Sequence, residues 1–122
     1  MIATQIKPIL IVTGAATALA VAQFVAPPQL LRLTYGQAPT DAASLMLARH
    51  WGLLIGCVGV LLIYSAFYTP VRVPVMVFAV IEKVAFGASI LATNLRHQFL
   101  AAAAAVGDLL IAFVYVLYLV GL

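Results

Sequence analysis

The chain reads as an all-α protein: a four-helix transmembrane bundle, up-down and antiparallel, with both termini on the same side. Three observations predict this. Hydrophobic residues make up 66% of the 122 positions, above the roughly 45–50% of soluble chains. Charged residues make up 7%, where a soluble domain carries about 25%. The apolar residues gather into four runs, each close to the ~20 residues that a helix needs to cross a bilayer core. A soluble fold of this length has too little interior to hide so much apolar surface. One integral membrane domain over residues 1–122 is therefore expected, with the lipid bilayer as its first partner.

The first span is expected over about residues 8–27, from Pro8 as a helix start to the Pro27-Pro28 stop. Lys7 before an apolar run, with Ala20-Val21-Ala22 as a small-residue cleavage site, imitates a signal peptide. The expectation adopted is an uncleaved first helix. Residues 29–44 are too mixed to span; Leu30, Leu31, Leu33 and Tyr35 suggest a segment lying at the interface. Thr40 or Asp41 then suits the cap of the second helix. The second span is expected over about 45–68, the third over 74–94 and the fourth over 99–121. Pro70 and Pro74 bracket one short connection, and residues 95–98 form another. Short connections favour antiparallel neighbours.

Four crossings put Lys7 and Arg72 on one side and Arg32, Arg49 and Arg96 on the other. By a margin of one residue, the two odd-numbered loops are expected to be cytoplasmic.

Net charge is +3, from six basic and three acidic residues. The basic residues are scattered rather than clustered, which argues against nucleic acid as a partner. The single cysteine, Cys57, lies in an apolar run and is expected to be a small buried hydrophobe. No metal-ligand spacing, Walker loop, GxGxxG or Ser/His/Asp grouping is present, so no cofactor is implied by motif and its identity is unknown. His50 and His97 lack the companions that a zinc or haem site needs. The first span has no acid, which a small multidrug exporter would be expected to show.

Chemistry in this chain rests on charges at bilayer depth, each costing about 2.5–3.5 kcal/mol on insertion scales. Glu82 and Lys83 stand side by side in VFAVIEKVAFG, residues 77–87, within the third span. Asp108 lies in the fourth, and Arg49 and His50 in the first part of the second. Adjacent helical residues point about 100° apart, so Glu82 and Lys83 are expected to find separate partners. At 1.5 Å rise per residue, Lys83 lies roughly 18 Å and Asp108 roughly 15 Å from the loop joining their helices. A Lys83–Asp108 ion pair is expected, with Glu82 meeting His50 or Arg49 across the bundle. Arg49, His50, Glu82, Lys83 and Asp108 thus form the candidate polar cluster. Gly52, Gly56 and Gly59 form a ridge that admits a close neighbouring helix. Thr13, Ala16, Thr17 and Ala20 offer a small face on the first helix, and Ala101, Ala104, Ala105, Asp108, Ala112 and Tyr115 one on the fourth.

The four short helices, Ala-Arg-His-Trp-Gly opening the second and Ile-Glu-Lys inside the third, resemble DoxX-like small bacterial membrane proteins. The resemblance implies a bacterial inner-membrane four-helix bundle, multi-pass, whose relatives are largely uncharacterised or serve as accessory components of membrane redox systems. The chain lacks the cysteine pair that direct thiol-redox work would want. The leading expectation is a small non-catalytic membrane protein. It would either pack against other membrane subunits or another copy of itself, or bind a small apolar ligand such as a quinone or isoprenoid. The alternatives are a membrane enzyme on a lipid substrate, with Glu82 or Asp108 carrying protons, and a proton-coupled transporter working as an oligomer.

Overall fold

The computed structural model describes residues 2–121. The chain forms α1 (Ile2–Ala18), α2 (Val21–Val25), α3 (Pro27–Tyr35), α4 (Ala42–Phe67), α5 (Arg72–Leu91) and α6 (Phe99–Leu119). Short 3₁₀ turns, Thr69–Val71 and Asn94–His97, lead into α5 and α6. Four helical stretches are long and apolar enough to cross a membrane: Thr4–Val25, Ala42–Phe67, Thr69–Leu91 and Phe99–Leu119.

The first span departs from one continuous helix starting at Pro8. Helix is already formed at Ile2, which puts Pro8 inside α1. The Lys7 ammonium lies 4.6 Å from the Phe67 ring centroid, so a cation–π contact pins the early turns of α1 to the end of α4. The span then breaks after Ala18. Ala20 donates to the Thr17 carbonyl, Ala22 to Leu19 and Gln23 to Ala20; these three-residue steps tighten the chain and separate α2 from α1.

The break sits where the glycine ridge of α4 receives it. A methyl at Gly59 would collide with the backbone nitrogen of Ala18. One at Gly56 would lie 3.2 Å from Val21, and one at Gly52 would lie 2.7 Å from Gln23 Cβ and 2.9 Å from the Ala20 carbonyl. Backbone thus lies on backbone along the whole of this contact, which only side-chain-free positions allow. Cys57, next to the ridge, is exposed on the outer face of α4 rather than buried, because Gly56, Val58 and Gly59 occupy the inward positions.

The segment expected at the interface forms helix α3. Pro27 opens it, Leu31 is its buried side, and Gly36 ends it with φ 79° and an N–H to the Arg32 carbonyl. Asp41 caps α4, accepting from the Ser44 N–H at 2.9 Å, which holds its carboxyl below the usual carboxylate range. At the other end of α4 the Arg72 guanidinium donates to the Ser65 and Ala66 carbonyls, both at 2.9 Å, closing the last turn.

The helices pack in the ring α1–α4–α5–α6, closed by contact of α6 with α1. Registers run oppositely at each interface. Gly14 faces Gly59 while Gln23 faces Gly52; Lys83 meets Asp108 while Gly87 faces Ala105; α4 and α5 are joined by residues 68–71 alone, yet Trp51 and Phe86 near their far ends lie against each other, tilted, with centroids 5.7 Å apart. Neighbours are therefore antiparallel. Two apolar clusters fill the interior. One joins Ile6, Leu10, Leu62, Met76, Ala79 and Tyr115; the other joins Ile90, Ala101 and Ala105, with Tyr35, Phe86 and Leu95 against them. Val12, Leu54, Phe78, Ile81, Leu110 and Phe113 point outward. An apolar exterior around a bundle whose backbone bonds close within each helix is what a bilayer requires.

Candidate functional site

Between the two apolar clusters lies a polar layer centred on Lys83, whose residue is 1% exposed. Its Nζ donates to Thr17 Oγ1 at 2.8 Å and to Asp108 Oδ1 at 3.3 Å. Glu82 Oε1 stands 3.9 Å from the same nitrogen. A long stem explains how one ammonium reaches three groups on three helices. The Thr17 hydroxyl donates in turn to the Thr13 carbonyl at 2.8 Å, and Thr13 Oγ1 bonds the Tyr115 hydroxyl. A chain of polar contacts thus runs from α5 through α1 to α6.

The expected Lys83–Asp108 contact is present in this geometry. The expected partners of Glu82 are elsewhere: Arg49 and His50 are both exposed. At that level α4 turns Ala48 and Trp51 toward the cleft. At 100° per residue, Arg49 and His50 each lie about 130° round the helix from the midpoint of those two. Glu82 meets its own neighbour instead, because the lysine stem bends Nζ back toward both carboxylates. The glycine ridge takes the α1–α2 backbone, which positions Thr17 opposite Lys83.

Two carboxyl groups face one ammonium, and Glu82 Oε1 is buried without a hydrogen-bond partner among the described residues. Glu82 also stands at a junction of two spaces. An inner chamber of about 160 Å³ is bounded by Thr17, Gln23, Gly52, Lys83 and Asp108. An outer cleft of about 650 Å³ opens between α3, α4 and α5, walled by Leu31, Tyr35, Trp51, Phe86, Ile90 and Leu95. Glu82, Tyr35, Trp51 and Phe86 border both. Ser89, further along α5 from Glu82, and Thr93, just past the end of that helix, add polar points to the cleft wall. A cleft of this size, mostly apolar with a few convergent polar groups, has the form of a small-molecule site.

Two contributors escape sequence reasoning. Gln23 is buried and donates its Nε2 to the Ala48 carbonyl at 2.7 Å, tying α2 to α4 at the chamber wall. Its signal is an amide inside an apolar run, a weaker mark than a charge. Tyr35 stands at the end of α3 against the chamber; burial, and then the negative charge of Asp108, push its hydroxyl up to about 12. Tyr35 is therefore a neutral hydrogen-bond donor at physiological pH. Among the described residues no group of three or more His, Cys, Asp or Glu is gathered closely enough to hold a metal ion. Comparison with family models, with curated proteins and with solved structures finds no match for this chain.

Proposed function

We propose that this is a small non-catalytic integral membrane protein that binds an apolar ligand with a polar head, of quinone or isoprenoid size, in the cleft between α3, α4 and α5. The observation that carries this is the meeting of the 650 Å³ apolar cleft with buried Glu82. The cleft opens beside helices whose outer faces suit lipid, so a ligand would enter from the bilayer and leave water uninvolved. On this proposal the chain is a multi-pass protein of the bacterial inner membrane, with both termini on one side. The four-helix layout supports a multi-pass setting, and the bacterial inner membrane is what the resemblance of Ala-Arg-His-Trp-Gly and Ile-Glu-Lys to DoxX-like proteins implies. An accessory role in a larger membrane complex fits the same proposal, with the ligand passing between subunits.

Trp51, the single tryptophan, lines the cleft and serves as the reporter. A decyl benzoquinone titrated into the protein in lipid nanodiscs should quench it saturably. Ser89→Phe, which fills the cleft from a residue exposed at its wall, should weaken that binding about tenfold or more. Quenching that is linear with partitioned quinone, or unchanged in Ser89→Phe, sinks the proposal.

A further inference from the structure

The unpartnered Glu82 oxygen specifies the head group. We infer that the cleft selects amphiphiles with a cationic, hydrogen-bond-donating head, an alkylamine being the simplest, seated at Glu82 beside the Trp51–Phe86 pair. This rests on the cleft being a ligand site, as proposed above, and adds which ligands it takes.

Three independent features converge on a cation. Glu82 Oε1 is buried with no hydrogen-bond partner among the described residues, and Glu82 borders the cleft, so a donating head gains a bond to this carboxyl that a carbonyl head, held by the apolar wall alone, does not. The layer holds Glu82 and Asp108 against Lys83 alone, and among the described residues Lys83 is the only basic one bordering cleft or chamber. Its ammonium hydrogen-bonds Thr17 and Asp108 and stands 3.9 Å from Glu82 Oε1, beyond hydrogen-bond distance. An ammonium head brings a second positive charge to these two carboxyl groups, and a hydrogen bond with an ionised partner is about twice as strong as a neutral pair. The third feature is aromatic: Trp51 and Phe86, tilted at 41° with centroids 5.7 Å apart, border the same junction as Glu82. Ring faces attract cations and are indifferent to neutral alcohols. An anionic head meets the opposite field and is rejected. The tail has its own wall in Leu31, Ile90 and Leu95.

The test keeps the tail constant and changes the head. Decylamine, decanol and decanoate are titrated against Trp51 fluorescence in zwitterionic nanodiscs, each referred to its partition into protein-free discs. Decylamine should bind at least about tenfold more tightly than decanol, and decanoate more weakly than either. Glu82→Gln should bring decylamine within about twofold of decanol. Equal binding of decylamine and decanol by the native protein overturns the inference while leaving an apolar ligand site standing. No saturable response to any of the three overturns both. The native series needs no variant, so the comparison of heads decides the question even where Glu82→Gln fails to fold.

Discussion

Replacing Lys83 by methionine removes one charge from the centre of the bundle and leaves two carboxylates without a counterion. At an effective dielectric of 20, an ammonium 3.3 Å from Asp108 Oδ1 gains about 5 kcal/mol, and one 3.9 Å from Glu82 Oε1 gains about 4 kcal/mol. Desolvation, at several kcal/mol per buried ion, cancels most of this gain in the intact protein. The pair is therefore worth little net, yet breaking it from one side is costly. Lys83→Met should destabilise by about 3–5 kcal/mol, the usual range for an orphaned buried charge. Asp108→Leu alone should cost less, because its side chain is 23% exposed and Lys83 keeps Glu82 and Thr17. Lys83→Met combined with Asp108→Leu should recover part of the loss, since one of the two orphaned groups is replaced by an apolar isostere while Glu82 stays without a counterion. Equilibrium unfolding in mixed micelles, followed by Trp51 fluorescence and far-UV circular dichroism, gives the cycle. Additive single and double variants, or a Lys83→Met protein within about 1 kcal/mol of native, would refute the account of a coupled polar layer.

Two further outcomes test other parts of the molecule. Gly59→Ala should destabilise by about 1–3 kcal/mol, because the new methyl meets the Ala18 backbone, which has no side chain to move aside. Gly107→Ala, with nothing near its added methyl, should instead stabilise by about 0.5–1 kcal/mol through helix propensity. Melting temperatures moving in the same direction would discredit the ridge. Tyr35 binds its proton more tightly in the folded than in the unfolded chain, about 12 against an ordinary 10. Its stabilising contribution is thus complete below pH 10 and disappears as pH rises toward 12. Tyr35→Phe should lose less melting temperature than the native protein between about pH 9.5 and 11.5, and equal losses would show that folding does not hold the proton on the half-buried Tyr35 hydroxyl.

Sequence alone determined the class of fold, because the solvent dictates it: a bilayer demands runs of apolar helix, and Pro27 and Asp41 mark ends by local rules. It also located Lys83 and Asp108 at one depth, since rise per residue converts position into height. It could not tell which way α4 turns, so Arg49 and His50 were expected inward although Ala48 and Trp51 are the residues turned toward the cleft. Nor could it find the break after Ala18, which exists because the α1–α2 backbone settles onto glycines some forty positions away. The lysine shared by three groups, the orphaned Glu82 oxygen and the cleft beside it were decided only by packing. Periodicity records which residues avoid water; which of them meet depends on helix rotation and close approach, and those are fixed by partners distant in the chain.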